Sequence, residues 1–216
     1  MTASLNYAVR PPMLGQPVRS SRMSLLDHDE RRRQIARVAV DLISREGIQA
    51  ATIRRIAAEV GFSTTVVTHY FAEKQELLRW TYRVLTEEGG ARLEKALSAD
   101  PTDLLAALLA MSAIDEANIR LWRVFVAFCD EAARDPVFAG EQRLHTDRAI
   151  ARIADLIRAR YGEREDIDTV SRLLNGLVQG ISIQVVVDPA RWSPDQIRSA
   201  LAAQVRMLLE GPAPAA

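Results

Sequence analysis

Short hydroxyl side chains, a histidine and a tyrosine lie close together in residues 63–70, whose sequence is STTVVTHY. Each of these residue types except valine can both donate and accept a hydrogen bond. On one short exposed helix they would match the major groove of DNA, where base edges offer donors, acceptors and thymine methyl groups. We expect base-edge contacts from Thr64, Thr65 and Thr68, and backbone contacts from His69 and Tyr70.

Two short helices around a glycine turn would position these side chains. Thr52 can cap the first helix, whose apolar residues fall on one face at helical spacing: Ile53, Ile56, Ala57 and Val60. Gly61 suits the turn because a tight reversal needs a positive φ, which glycine adopts freely. Ser63 can cap the second helix, which we expect to bury Val66, with Val67 beside it. The pattern is typical of a helix-turn-helix.

Longer helices are predicted on both sides of this segment. The first runs from Asp27 or Asp29 to Glu46, and its buried stripe comprises Ile35, Val38, Ala39, Leu42 and Ile43. Its arginines, Arg31, Arg32 and Arg33, either contact phosphate or form a solvated surface with Asp29 and Glu30. The second helix begins near Glu73 and continues to about Leu97.

The frame T-x-x-x-I-A-x-x-x-G-x-S-x-x-x-x-x-x-Y-F-x-x-K-x-x-L-L over residues 52–78 resembles the DNA-binding domain of the tetracycline-repressor (TetR) family. The segment STTVVTHYF is similar to the betaine-synthesis repressor (BetI) variant of that family, with Thr68 in place of the common tyrosine. The resemblance implies a homodimeric regulator that binds a palindromic double-stranded DNA operator. It also implies phosphate contacts by Thr52, Arg54, Arg55 and Lys74, with Ser63 capping the recognition helix.

Composition agrees with a soluble cytoplasmic protein that needs no disulfide or metal. Cys129 is the single cysteine in 216 residues, and the three histidines, His28, His69 and His145, have no paired metal-ligand spacing. Residues 1–83 hold 13 basic and 8 acidic side chains, so the half with the motif is the basic one. Cys129 and His145 could form a nucleophile and base, but a buried structural thiol is favoured. We therefore predict no catalytic residue, cofactor, metal or membrane contact.

The sequence predicts an all-α fold of about nine helices in two domains. Residues 1–25 and 211–216 are assigned to disordered tails, 26–72 to the helix-turn-helix head, and 73–210 to an effector-binding and dimerisation domain. In the N-terminal tail Arg10, Arg19 and Arg22 form either a minor-groove arm or a segment without function, and Met13 or Met23 could be the true start. In the second domain Asp100-Pro101 is predicted to cap a helix of about 101–113, followed by helices of about 115–134, 138–160 and 166–187. A capping box at Ser193–Gln196 starts the last helix, which ends at Gly211.

The helix of about 166–187 is apolar around most of its circumference, so it needs neighbours on all sides. Packing it and the last helix against their copies would give an isologous four-helix interface, although a monomer could bury them in its own core. The predicted interface comprises Leu173, Gly176, Leu177, Gly180, Ile197, Leu201, Val205 and Leu208.

By the family resemblance, helices of about 101–160 should enclose a pocket for a small-molecule effector. The candidate lining residues are Met111, Asn118, Trp122, Phe125, Phe128, Cys129, His145 and Gln179. Core packing is the more frequent role of such apolar and aromatic residues, and the amides could instead be exposed on a helix surface. Buried amides without a protein partner, among Asn118, Asn175, Gln179 and Gln184, would be the most telling. A quaternary ammonium effector would need rings from Trp80, Trp122, Phe125 and Phe128, with Asp115, Glu116 or Asp130 nearby.

These features predict a transcriptional repressor that a ligand releases from its operator. The alternative is a helical protein-interaction adaptor of the same fold that no longer binds DNA.

Overall fold

The computed structural model describes the backbone of residues 19–211 and the side chains of residues 28–211. Within this range every regular element is a helix, which confirms the predicted all-α fold. The head comprises α1 (Arg19–Glu46), α2 (Ile53–Val60) and α3 (Thr64–Tyr70), and α4 (Lys74–Ala96) leads into the body. The body comprises α5 (Leu104–Met111), α6 (Glu116–Arg134), α7 (Pro136–Tyr161), α8 (Ile167–Val187) and α9 (Pro194–Val205). A 3₁₀ turn, Ile48–Ala50, follows α1, and a π turn, Arg206–Glu210, follows α9.

The local signals that bound α2 and α3 act as the sequence predicts. The Thr52 hydroxyl accepts a hydrogen bond from the backbone N–H of Arg55 at 3.2 Å and caps α2. Gly61 ends α2 with φ 77°, in the left-handed region. The Ser63 hydroxyl accepts from the N–H of Val66 at 3.2 Å and caps α3. Both predicted caps and the glycine turn are therefore confirmed.

The buried face of α3 differs from the prediction. Val67 is fully buried, whereas Val66 is 39% exposed, so the expected burial of Val66 was wrong. Val67 lies one helical turn before the fully buried Phe71, and the two point into the same core beneath α1. Val66 consequently lies on the outer face with the polar side chains of α3.

Helix α1 begins at Arg19, earlier than the predicted start at Asp27 or Asp29. Residues 19–25 therefore belong to a helix and not to the predicted disordered tail. No proline occurs after Pro17 before the established helix, and adding residues to a formed helix costs little. The other predictions for the tail, including Arg10 and Met13, fall outside the described residues, as do those for residues 212–216.

Helix α5 is capped differently from the prediction. The Asp103 carboxylate accepts from the N–H of Ala106 at 2.9 Å and caps the helix, so the expected cap at Asp100-Pro101 was wrong. Asp100 instead accepts from the N–H and hydroxyl of Thr102, at 2.8 and 2.7 Å, in a turn before the helix. These hydrogen bonds lower the pKa of the Asp100 carboxyl. The capping box at Ser193 and Gln196 forms as predicted.

Two apolar cores run through the described residues. The first joins the head to the body, because it contains buried residues of α1, α2 and α3 together with Leu77, Tyr82, Val124 and Phe128. The second lies inside the body, among α5, α7, α8 and α9. Trp122 on α6 packs against both cores. The head is thus built onto α4 and α6 and is not a separately tethered module.

Helix α8 is long and apolar enough to cross a membrane by length and composition, with a mean hydropathy of 1.3. In the structure it is a packed helix of the body: Val170, Leu174, Val178 and Val185 are buried in the second core. Contacts with α6, α7 and α9 therefore explain the apolar residues on the inner side of α8, whereas Leu173, Ile183 and Val187 remain exposed.

The predicted dimer-interface residues separate into two groups. Ile197, Leu201 and Val205 are buried in the second core of their own chain, so their assignment to an interface was wrong. Leu208 is partly buried against the same core, and its place in an interface stays a prediction. Leu173, by contrast, is 54% exposed, and Gly176, Leu177 and Gly180 follow it on the open side of α8. Helical spacing predicts two faces on such a helix but does not say which one meets its own chain.

Candidate DNA-binding surface and internal cavity

The outer face of α3 presents a compact set of small polar side chains. Thr64, Thr65, Thr68 and His69 are all exposed, as the sequence predicted. The Thr68 hydroxyl donates to the carbonyl of Thr65 at 3.1 Å, which leaves its oxygen free to accept a hydrogen bond. Val66, which was predicted to lie in the core, adds an apolar patch to this face. A valine at this point offers a contact for a thymine methyl group.

Aromatic rings hold the end of α3 against α1. The rings of His28 and Tyr70 lie 4.9 Å apart, and those of His69 and Tyr70 lie 5.4 Å apart. His28 was not predicted to take part, because nothing in the local pattern links it to a residue about forty positions away. The His28 ring on α1 contacts Tyr70, and Tyr70 contacts His69. These contacts fix the position of both residues relative to α1.

Arg32 on α1 fastens the C-terminus of α3 to the start of α4. Its Nε and Nη2 donate to the carbonyl of Tyr70 at 3.0 and 2.6 Å, and Nη2 also pairs with the Glu76 carboxylate. The guanidinium lies 5.1 Å from each of the Phe71 and Trp80 ring centroids. From the sequence we expected Arg32 either to contact phosphate or to belong to a solvated surface. In the structure it has neither role. It holds the recognition helix by its last carbonyl, where a cation is also favoured by the helix dipole.

The residues predicted to contact phosphate differ in whether their side chains already form ion pairs or hydrogen bonds within the protein. Arg54 is exposed and has no ion pair among residues 28–211, and the same holds for the half-buried Lys74. Lys74 lies in the first turn of α4, where no side chain caps the N-terminus. Arg55, however, pairs with Glu46 at 2.8 Å and Glu59 at 3.4 Å. Thr52 caps α2 by accepting a hydrogen bond, so its O–H remains able to donate to a phosphate oxygen.

A cavity of about 400 Å³ lies in the body, between α4, the end of α5, α6, α7 and α8. Six of the eight predicted effector residues line it: Met111, Asn118, Trp122, Phe125, His145 and Gln179. The helix starting near Glu73 was expected to touch the pocket, and α4 does line it. The residues that do so are Leu85, Glu87, Gly89, Gly90 and Leu93, and not the predicted Trp80. A Cβ atom built on Gly89 or Gly90 would meet nothing within 4 Å, so both glycines border open space.

The other two predicted lining residues belong elsewhere. Phe128 is fully buried between the rings of Tyr82 and Phe138, at 5.2 and 5.6 Å, so its prediction as a lining residue was wrong. Cys129 is also absent from the lining, and its thiol accepts a hydrogen bond from Gln142 at 3.2 Å. Burial raises the pKa of the Cys129 thiol. Both residues lie on the side of α6 that packs toward the first core.

Some polar groups of the cavity are already engaged by the protein. Asn118 donates from Nδ2 to the carbonyls of Ala110 and Ser112, at 3.0 and 2.7 Å. Trp122 donates from Nε1 to the carbonyl of Met111 at 2.9 Å, which fixes its ring. Asn175 is different: it is 5% exposed, and its amide has no hydrogen-bond partner among residues 28–211. Because Asn175 lines the cavity, a ligand or water there can pair with its amide.

Ion pairs connect the cavity wall to the head. Glu87, which lines the cavity from α4, pairs with Arg33 on α1 at 3.5 Å. The next residue, Glu88, pairs with Arg120 on α6, which also reaches Asp41 on α1 at 2.7 Å. Helix α4 is therefore in contact with the cavity on one side and with α1 of the head on the other.

Comparison with known proteins agrees with this arrangement. The family described as "Bacterial regulatory proteins, tetR family" matches residues 35–79, and "BetI-type transcriptional repressor, C-terminal" matches residues 100–210. The chain belongs to the TetR family. It is accordingly a DNA-binding transcriptional regulator, and the second match assigns its body to the BetI type.

Relatives and solved structures of TetR-type regulators cover most of the chain. The HTH-type transcriptional regulator PksA of Bacillus subtilis (strain 168) is 29% identical over 195 residues, which are 85% of this chain and 92% of the relative. The BetI regulator of Vibrio campbellii is 25% identical over 175 residues, 78% of this chain and 86% of the relative. A transcriptional regulator from Rhodococcus sp. Rha1 superposes with a TM-score of 0.76 at 27% identity, covering 85% of this chain and 99% of its own.

A further neighbour, from Saccharomonospora viridis, was solved in complex with choline. It superposes with a TM-score of 0.75 at 24% identity, covering 84% of this chain and 98% of its own. At this identity the likeness concerns the fold.

Proposed function

We propose that this TetR-family regulator is a cytoplasmic homodimeric repressor, without catalytic activity, that leaves a palindromic operator when a small molecule fills the cavity. The observation that carries the proposal is the position of α4. This one helix begins four residues after α3 ends, lines the cavity with Leu85 to Leu93, and pairs with α1 through Glu87. A ligand that displaces α4 therefore moves the recognition helix.

Release requires only that the ligand prefer one arrangement of the heads. A hundredfold preference for the arrangement that no longer fits the operator is about 2.7 kcal/mol of coupling free energy. The Arg33–Glu87 and Arg120–Glu88 pairs are contacts that such a movement would lengthen or break. Because these pairs are partly exposed, each contributes little to stability alone. The first core, which α4 shares with the head, makes the connection between them rigid.

The open side of α8 supports the dimer. Val187 is 78% exposed, Ile183 and Leu173 are also exposed, and Gly176 and Gly180 lie between them. Met207 continues the apolar surface just after α9. Small residues along this side would allow the same helix of a second copy to approach closely, which gives an isologous contact. The proposed interface is thus the exposed face of α8, without the buried residues of α9.

Two substitutions separate backbone contact from sequence reading. Lys74→Gln is expected to weaken operator binding by a similar factor for every sequence and to lower the slope of log affinity against log salt by about one per subunit. Thr68→Ala is expected to change the order of preference among operator variants, since it alters the face that meets the base edges. Titration of both proteins with matched and mismatched duplexes by fluorescence anisotropy measures this.

Lys95→Gln is the matched control, because Lys95 is an exposed lysine at the opposite end of α4. It should leave the salt slope unchanged. Equal, sequence-independent losses from Thr68→Ala would contradict the placement of α3 in the groove.

Two kinds of observation bear on the chemistry of the effector: the ligands of similar proteins, and the side chains that line the cavity. The BetI-type body and the choline complex of the structural neighbour favour a quaternary ammonium. The rings of Trp122 and Phe125, 4.9 Å apart, are the aromatic groups such a cation would contact. The charges that line the cavity decide whether a cation fits.

A further inference from the structure

We propose that the effector is a small carboxylic acid with an apolar, aromatic-sized body, and that Arg148 at the cavity wall binds its carboxylate. This inference rests on the proposed function, because it takes the cavity as the effector site.

The apolar part of the lining fits a flat, compact group. Trp122 and Phe125 meet at an interplanar angle of 67°, and Leu85, Met111 and Val178 complete the wall around them. The hydrogen bond from Trp122 to the carbonyl of Met111 holds the indole ring in place and uses its only donor. These rings therefore offer a ligand surface contact and no hydrogen bond.

The polar groups that remain free come from α7 and α8. Asn175 and Gln179 lie one turn apart on α8, and their amides have no partner among residues 28–211. His145 and Arg148 lie one turn apart on α7. Burial and the charge of Arg148 lower the pKa of His145, so its ring is neutral at pH 7 and can still donate one hydrogen bond. A ligand is thus expected to turn its polar group toward these two helices.

The balance of charge distinguishes an anion from a cation. Three charged side chains line the cavity: Glu87, Arg148 and Arg152. Glu87 is paired with Arg33 at 3.5 Å, and Arg152 with Glu94 at 3.3 Å. Arg148 has no ion pair within the part of the chain that the structure describes. The uncompensated charge at the wall is therefore positive, which favours a carboxylate and its two-oxygen contact with a guanidinium.

The charges that line the cavity are unfavourable for a quaternary ammonium. It would gain from the two rings, but the carboxylate nearest to it, Glu87, is already shared with Arg33. Arg148, an exposed side chain at the mouth of the cavity, would repel it, although solvent screens part of this repulsion.

Three probes of similar size and different charge test the inference by isothermal titration calorimetry. They are hydrocinnamate, its neutral amide hydrocinnamamide, and the cation benzyltrimethylammonium. We expect hydrocinnamate to bind at least about tenfold more tightly than the amide, and the cation to bind more weakly than both, where tenfold is about 1.4 kcal/mol. Arg148→Gln should remove the advantage of the carboxylate over the amide. Arg143→Gln is the control, since Arg143 is exposed on the same helix and does not line the cavity.

A second variant locates the binding site. Gly89→Met adds a flexible side chain at a half-buried position of the cavity wall, where a Cβ meets nothing within 4 Å, and it improves helix propensity, so the protein should fold and yet lose binding of all three probes. Retained hydrocinnamate binding in Gly89→Met would overturn the site assignment. Tighter binding of the cation than the carboxylate to the unmodified protein, or no carboxylate binding at millimolar concentration, would overturn the ligand class.

Operator titration with each probe separates this inference from the proposed function. Release of the operator by the cation alone would leave ligand-controlled repression intact and refute the carboxylate. Binding of hydrocinnamate that depends on Arg148 without any change in operator affinity would support the carboxylate site and refute the release mechanism.

Discussion

Replacing Arg32 with methionine is expected to lower the free energy of unfolding by about 2–4 kcal/mol and to reduce operator affinity at least about tenfold. The substitution removes two hydrogen bonds to the Tyr70 carbonyl and leaves the half-buried Glu76 carboxylate with only the N–H of Ala72 and no cation. It also removes the cation from the Phe71 and Trp80 rings. Urea denaturation followed by circular dichroism gives the stability, and fluorescence anisotropy gives the affinity.

Arg31→Met provides the matched control. Arg31 is the neighbouring arginine on α1, exposed, with one hydrogen bond to Gln34 and a distant contact with the Phe62 ring at 5.9 Å. Its substitution should change the unfolding free energy by less than about 0.5 kcal/mol. If both variants lost the same stability, the contacts of Arg32 with Tyr70 and Glu76 would have no special role in stability.

Leu173→Glu is expected to convert the dimer into monomers and to weaken operator binding by at least about a hundredfold, which is about 2.7 kcal/mol. The exposed leucine lies on the proposed interface, and a two-fold contact would place two glutamates close together across an apolar surface. Each head would then bind its half-site alone and lose the effective concentration that the partner provides. Sedimentation velocity measures the assembly, and anisotropy measures the binding.

Leu144→Glu is the matched substitution on α7. Leu144 is another exposed leucine of similar accessibility that is not part of the α8 face. This variant should remain dimeric and bind the operator normally. A Leu173→Glu protein that sediments as a dimer would show that the subunits meet elsewhere.

The parts of the head that depend on neighbouring residues could be predicted from the sequence. Thr52, Gly61 and Ser63 act through hydrogen bonds or backbone angles within a few positions of themselves, and each does what its type and position indicate. The exposure of Thr64, Thr65 and Thr68 follows from the same short helix. Local chemistry was sufficient because these residues would behave in the same way in almost any surrounding fold.

The parts that depend on tertiary packing could not be predicted. The role of Arg32 requires Tyr70 and Glu76, which are 38 and 44 positions away. Periodicity places Ile197, Leu201 and Val205 on one apolar face of α9, but only the packed chain reveals that this face is already buried.

The cavity illustrates both situations. Aromatic and amide side chains of α6 to α8 were reasonable candidates, and most of them line it. Phe125, Phe128 and Cys129 all contact the first core, but only Phe125 also reaches the cavity. Gly89 and Gly90 of α4 border the open space, and their only sequence signal was an interruption of an apolar helix.

Selection of bound duplexes from random DNA, followed by sedimentation of the selected complex, tests the central claim most directly. We expect an enriched inverted repeat occupied by subunits in multiples of two, with half-site centres about 34–36 Å apart or a multiple of that distance. Each half-site should lose enrichment at specific positions when Thr68→Ala is used for the selection. Recovery of no preferred sequence, or of a single half-site bound by one subunit, would contradict the account.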